Sequence, residues 1–484
     1  MARKVLLIYA PAFWSAYKWW PTVSFVKFPL LSIFSHLRSQ GVEVDVLDLE
    51  VEFGRVDSAN LEEYSKRARE LIAARDFDVA AISCYATFDY TAAMETARLC
   101  RATHPRCDIA TGGYHPSGLP GDFGGADSPF DFLITGEAEI VLTELAAGVH
   151  DRTPGQVRII RGKPLELTED TRWEWEAYPY SHLSPQVQNV VLSRGCPFAC
   201  SYCAEPWAKN GSWRSFSVQK SLRLLDELFA VLKPRSIQFS DPMFGFQSGW
   251  RKEFLAGLAA RDFPAVFNCQ TRIDTLDDTD LKLISRLPLL VFLGMESASP
   301  RMLEIMHKTK TPDRYLASLS QLLSRASDLD ALFHTNLLFN HPGETPETFK
   351  ETIRFMEDFA GSRETNSIST VGFHYRFLPS CDDFAVFKDL ETRFGTKVLY
   401  KEWWKSGPDE MDLRSKSIIA SRETEAAYGA SPDYWEGDYG RMRQRIVGGW
   451  SRKLSGYISA HAAAGAENHS QAAKFRAAAV AIGG

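Results

Sequence analysis

The chain has few cysteines, no excess of positive charge and no long apolar run, and each shortage removes a class of protein. Eight cysteines in 484 residues are too sparse for a disulfide framework. Fifty-five Lys plus Arg against 61 Asp plus Glu leave a formal charge of -6, so no overall basic field exists to draw in nucleic acid or anionic lipid. Neither a nucleic-acid nor a membrane partner is expected. No window approaches the roughly 20 apolar residues of a membrane span, and Val5 to Tyr9 is too short for the core of a signal peptide. The expected location is the cytoplasm. What remains is ordinary globular composition, 45% hydrophobic with 32 Gly and 24 Pro, and length enough for two or three domains.

Residues 1–150 read as alternating strands and helices. Strands are expected at Lys4 to Ala10, Val42 to Leu47, Phe77 to Cys84, Asp108 to Thr111 and Phe130 to Thr135, with helices at Leu30 to Gln40 and Tyr90 to Thr103. That pattern describes a doubly wound, Rossmann-like α/β domain, whose ligands sit beyond the carboxyl ends of the strands. Residues 151–186 carry Pro154, Pro164, Pro179 and Pro185 and read as a polar connection. From 187 to 380 six more strands are expected, at 188–193, 235–240, 265–271, 290–295, 332–338 and 369–377, with helical segments between them. This fits a partial (β/α)6 barrel with its reactive residues at strand carboxyl ends. Residues 381–484 read as an α-rich cap ending in a loose helix or tail.

Three of the eight cysteines fall within Cys196-Pro197-Phe198-Ala199-Cys200-Ser201-Tyr202-Cys203, directly after the first strand of the second series. Three thiolates on one loop can hold three irons of a 4Fe-4S cube and leave the fourth iron open. A structural zinc site wants a fourth protein ligand at defined spacing, and none appears before Cys269. The missing ligand points to a cluster that binds a substrate.

This Cys-x3-Cys-x2-Cys run resembles the signature of the radical S-adenosylmethionine (SAM) enzymes. The resemblance implies that SAM chelates the open iron through its amino and carboxylate groups. Reductive cleavage of SAM then yields a 5′-deoxyadenosyl radical that abstracts a substrate hydrogen. It also implies SAM contacts from Tyr202, from Ser240 and Asp241 after strand two, from Gln270 and Arg272 closing strand three, and from Glu296 and Ser297 in Gly294-Met295-Glu296-Ser297. Pro342-Gly343-Glu344-Thr345 follows strand five and is similar to a segment of the subgroup described next.

A doubly wound domain ahead of such a barrel resembles the cobalamin-binding subgroup, over residues 1 to about 380. Gly112-Gly113-Tyr114-His115-Pro116 and Thr135-Gly136-Glu137-Ala138-Glu139 look like its strand-end loops, so Gly112, Gly113, His115, Gly136 and Glu137 are implied to face the cofactor, with glycine admitting a bulky ligand. The Asp-x-His-x-x-Gly pattern that ligates cobalt elsewhere is absent, so His115 is not read as a cobalt ligand. Trp14, Trp19 and Trp20 either wall a corrin face or fill the groove. Three functions follow from the resemblance: cobalamin-dependent C-methylation of a small polar metabolite, as in natural product biosynthesis; cobalamin-independent dehydration of a sugar diol of aminoglycoside type; or a non-catalytic sensor of cobalamin or cluster. An external electron donor of flavodoxin or ferredoxin type is implied for the first two. Candidate substrate groups are Glu205, His334, His374, Asp382 and Glu402, with Cys381 a candidate second thiol. Tyr400, Trp403 and Trp404 are expected either to cap the substrate cavity or simply to pack.

Overall fold

The structure, a computed structural model, describes residues 3–11, 26–54, 56–125, 127–182, 187–205, 212–329, 331–361, 368–444 and 446. Trp14, Trp19, Trp20 and the expected C-terminal tail lie outside the described residues.

Six strands make the first sheet: β1 (Val5–Tyr9), β2 (Val44–Asp48), β3 (Val79–Ser83), β4 (Asp108–Gly112), β5 (Phe132–Thr135) and β6 (Arg158–Arg161). All pair in parallel, in the order β2-β1-β3-β4-β5-β6. Leu7 of β1 faces one core layer and Leu6 and Ile8 the other, which is why the strand is apolar without alternation. The strand order switches direction between β1 and β3, the place where an open α/β sheet leaves a crevice for a ligand beyond its carboxyl ends.

The sixth strand lies in the segment expected to be a polar connection. Residues 151–182 instead pack with the first domain: β6 pairs with β5, and Trp173, Trp175, Tyr178 and Tyr180 are buried. Phe28 meets Trp173 edge to face at 4.7 Å, and Phe34 meets Tyr178 at 5.5 Å. An edge strand with a mostly exposed surface carries no apolar period for a pattern to detect.

The second series opens with β7 (Val187–Val190). The expected strand 188–193 stops early because the Asp241 carboxylate accepts from the Leu192 amide and the Ser193 hydroxyl, turning the chain out of the ladder. Two short strands follow, β8 (Ser193–Arg194) and β9 (Arg214–Ser215), paired antiparallel. The sheet then continues with β10 (Ser236–Phe239), β11 (Val266–Thr271), β12 (Leu289–Glu296), β13 (Leu332–Phe339) and β14 (Ile368–His374), in sequential parallel order from β7. That is an open six-stranded barrel. Ile237, Phe267, Val291, Phe333 and Leu337 pack into the core, so by alternation the opposite, inner face carries Gln238, Asn268, Gln270, His334 and Asn336.

Helices Phe387–Phe394, Pro408–Lys416 and Arg422–Tyr428 and an antiparallel pair of β15 (Lys397–Val398) with β16 (Ile418–Ile419) lie in the C-terminal region. Trp403 and Trp404 do not cap a cavity. Both are buried in the core of the first domain, where the Trp403 indole donates to the Phe377 carbonyl at 2.8 Å and that of Trp404 to Asp122 at 2.6 Å. Tyr400 is exposed, with the Arg414 guanidinium over its ring.

Candidate functional site: a cysteine loop between two domains

Cys196, Cys200 and Cys203 are free thiols on the loop after β8. Three thiols on one loop suit a polynuclear cluster. Burial pushes the Cys203 thiol up to about 12 and raises that of Cys196, so a bare thiolate is unfavourable here and a bound cation offsets that cost. The loop is pinned from behind: the Cys381 thiol donates to the Tyr202 carbonyl at 2.9 Å, and the Asp383 amide to the Ser201 carbonyl at 3.1 Å.

Arg272, at the end of β11, covers the loop. Its guanidinium lies 3.9 Å from the centroid of the Phe198 ring, 3.6 Å from Cys200 Sγ, and forks onto Asp274 at 2.8 and 2.9 Å. It also donates to the Lys308 carbonyl at 2.8 Å. The Lys308 ammonium in turn stands 2.9 Å from Glu296 Oε1 and 3.3 Å from the Tyr202 hydroxyl. Glu296 is a non-glycine residue in the left-handed region, at φ 63. Such a conformation costs of order 1 kcal/mol or more and persists where the surroundings fix it. Here β12 ends so as to turn that carboxylate onto Lys308, and a Cβ at Gly294 would meet Glu296 Oε1 at 2.6 Å and Lys308 Nζ at 3.0 Å.

The remaining SAM candidates divide. Ser240 and Gln270 are exposed on the inner side of the barrel mouth. Asp241 and Ser297 are not open to a ligand: Asp241 holds the turn after β7, and Ser297 is buried in a turn with Thr352 at 2.9 Å. Burial raises the Asp241 carboxyl to about 7.

On the other side of the loop lies a groove in the first domain. Leu7, Ala81, Ala110 and Ile134 floor it, Phe28 and Ser32 flank it, Tyr85 and residues 112–114 stand at its mouth, and Arg194, Ser240 and Pro242 reach it from the barrel. Gly112, Gly113 and Gly136 keep side-chain bulk off this mouth. Gly113 has a second reason to be glycine: at φ 135, a Cβ there would lie 2.1 Å from the Cys84 carbonyl. Close packing of two strand-end loops imposes it. Such an apolar floor below a glycine-bordered mouth fits the flat, bulky corrin of cobalamin. Glu137 lines the groove but is tied to protein, accepting from Arg194, from Arg214 and from the Leu165 amide. His115 lies away from it, fully buried, stacked on Tyr90 at 5.3 Å and 3.1 Å from Asp122.

Among the substrate candidates, Glu205 is brought to the site. Two residues beyond Cys203, it accepts a hydrogen bond from the Tyr114 hydroxyl of the first domain. His334 lies inside the barrel with Nδ1 2.5 Å from the Ser369 hydroxyl, and burial lowers its imidazole to about 3. His374 is on the outer face, between Trp435 and Glu436. Glu402 makes a surface pair with Lys405, and Asp382 begins a short helical turn while its neighbour Asp383 meets His341 at 2.9 Å. The residues that sequence reasoning missed are Lys308, Arg194 and Arg214. Nothing in their local spacing marks them, since each acts on a carboxylate distant in the chain.

The Radical SAM superfamily domain matches residues 190–356, and the B12 binding domain matches residues 25–146. Among curated proteins, the 2-(S-pantetheinyl)-carbapenam-3-carboxylate methyltransferase of Streptantibioticus cattleyicolor is 23% identical over 424 residues, covering 79% of this chain and 59% of that protein. The anaerobic magnesium-protoporphyrin IX monomethyl ester cyclase of Rubrivivax gelatinosus is 28% identical over 192 residues, covering 38% and 33%. The chain thus spans from a third to under two thirds of the length of these relatives. Among solved structures, the radical SAM methyltransferase TsrM of Kitasatospora setae, with tryptophan and a SAM analogue bound, superposes with a TM-score of 0.68 at 17% identity, covering 90% of this chain and 89% of that one. The cobalamin-dependent radical SAM enzyme OxsB gives 0.59 at 17% identity, covering 81% and 56%.

Residues 190–356 are a radical SAM domain. A B12-binding domain, residues 25–146, precedes it, and the cofactors that these two domains imply are a 4Fe-4S cluster, SAM and cobalamin. Among the described residues no helix is long and apolar enough to cross a membrane.

Proposed function

We propose that the chain is a cobalamin-dependent radical SAM methyltransferase acting on an unactivated carbon of a small polar metabolite. One observation carries the reading: the cysteine loop and the groove of the B12-binding domain face each other across Tyr114 and Glu205. Bound together, the cofactors supply a hydrogen-abstracting radical and a transferable methyl group. Cys196, Cys200 and Cys203 hold the cluster. Arg272 places its guanidinium 3.6 Å from Cys200 Sγ. Glu296 and Lys308, with Ser240 and Gln270 at the barrel mouth, line the space for SAM, and Glu205, held by Tyr114, and the inner-face His334 are the candidate polar contacts of a substrate. His334 is neutral at physiological pH, so it can orient a hydroxyl or amide without bringing a charge. The methyltransferase relatives support transfer over elimination. A one-electron donor of flavodoxin or ferredoxin type reduces the cluster, and the cytoplasm is the compartment that keeps such thiols reduced.

The test is anaerobic reconstitution with iron, sulfide and hydroxocobalamin, followed by SAM and a strong reductant. Retained corrin absorption with release of both S-adenosylhomocysteine and 5′-deoxyadenosine is expected. Deoxyadenosine without any retained corrin would replace methyl transfer with elimination, and absence of deoxyadenosine would leave the sensor.

A further inference from the structure

The cysteine loop is tethered at both of its ends to residues that line the groove of the B12-binding domain. At its start, Arg194, two residues before Cys196, donates to Glu137 Oε2, Glu139 Oε1 and the Ser32 hydroxyl, each at 2.7 Å. At its finish, Glu205, two residues after Cys203, accepts from the Tyr114 hydroxyl. Ser32, Glu137, Glu139 and Tyr114 all face the groove. A ligand there therefore touches the partners of both ends of the loop.

We propose that Arg194 and Tyr114 are positioning residues that couple occupancy of the groove to the cysteine loop, so that cobalamin and the cluster strengthen each other's binding. The proposal rests on the reading that the groove holds cobalamin. The side chains of Arg194, Glu137 and Glu139 are only 11%, 4% and 5% exposed, so none can drop its partner and turn to water cheaply. Gly195, at φ 81, is wedged against the Ser212 carbonyl, which a Cβ would approach to 1.9 Å. A shift of the Arg194 fork is thus passed to Cys196 rather than absorbed by the intervening residue. Binding free energies are reciprocal, so the cluster must raise cobalamin affinity by the same factor that cobalamin raises cluster affinity.

The experiment titrates hydroxocobalamin into the full chain with its cluster and into the same chain stripped by a chelator. It then follows iron release from the cluster-loaded protein with and without hydroxocobalamin. Wild type should bind about five-fold or more tightly with the cluster and release iron correspondingly more slowly with the corrin. Tyr114→Phe, nearly isosteric, should reduce the ratio, and Tyr114→Phe with Arg194→Gln should bring it to one. Arg194→Lys, which keeps the charge without the fork, should retain part of it. Equal affinity of wild type with and without the cluster, or a full ratio in the double variant, overturns the coupling and leaves the methyltransferase reading standing. If hydroxocobalamin binds neither form, that reading falls and takes the coupling with it.

Discussion

Lys308 Nζ lies 2.9 Å from Glu296 Oε1 with only 3% and 12% of the two side chains exposed, at the end of the barrel strand that runs beneath the cysteine loop. The pair joins a residue that the superfamily resemblance picked out to one that it did not. Removing the cation alone would strand a carboxylate among Tyr202 and the loop. Lys308→Met should therefore cost about 3 kcal/mol, read as a lower thermal midpoint, while the double change Lys308→Met with Glu296→Leu should recover most of the loss. Equal midpoints for the single variant and wild type would show the pair to be unimportant for stability.

The thiols sort by position. Replacing Cys196, Cys200 and Cys203 with Ala should remove nearly all iron from the reconstituted protein. Cys381→Ser should keep it, because that thiol only donates to the Tyr202 carbonyl and a hydroxyl can do the same. Iron and sulfide assays on both variants decide this.

Gly113 holds a close approach between strand-end loops of the first domain. Gly113→Ala forces a methyl to within 2.1 Å of the Cys84 carbonyl at a φ of 135 and should destabilise by upwards of about 2 kcal/mol. Gly121→Ala, with nothing within 4 Å of the added carbon, is the control and should shift the midpoint little.

Glu344 gives a pH dependence of defined sign. Its buried carboxyl, which accepts from the Asn340 amide at 2.6 Å and from the Tyr434 hydroxyl, is raised by burial from 4.5 to about 7. The folded state therefore holds a proton that the unfolded chain has released, and the stability it contributes is complete below the ordinary carboxyl value and lost as pH rises through about 7. Glu344→Gln should match wild type near pH 5 and exceed it by of order 2 kcal/mol near pH 8. An unchanged difference in thermal midpoint between the two pH values would place the proton elsewhere.

Both parallel sheets were legible in the residues, because buried strands such as Val5–Tyr9 and Leu289–Glu296 are apolar runs, and that signal is local. The edge strand Arg158–Arg161 was not, since an exposed strand is held by its ladder rather than by its own apolar period. Trp403 and Trp404 show a choice the residues leave open: their aromatic character is plain, but whether they cap a cavity or pack in the core of another domain is settled by contacts with residues almost 300 positions away.

The sequence by itself determined the chemistry, because three thiols within eight residues must share one loop wherever the chain goes. It also determined which loops stand at strand ends, because hydrophobic periodicity places them there. Only the tertiary structure decided which polar groups are open to a ligand. Asp241, Ser297 and Glu137 carry the expected identities and are occupied with holding the protein together, whereas Glu205 meets Tyr114 and Lys308 meets Glu296. The physical reason is that a side chain's partner is set by what the fold brings within about 3 Å of it, and those partners come from other domains and other strands.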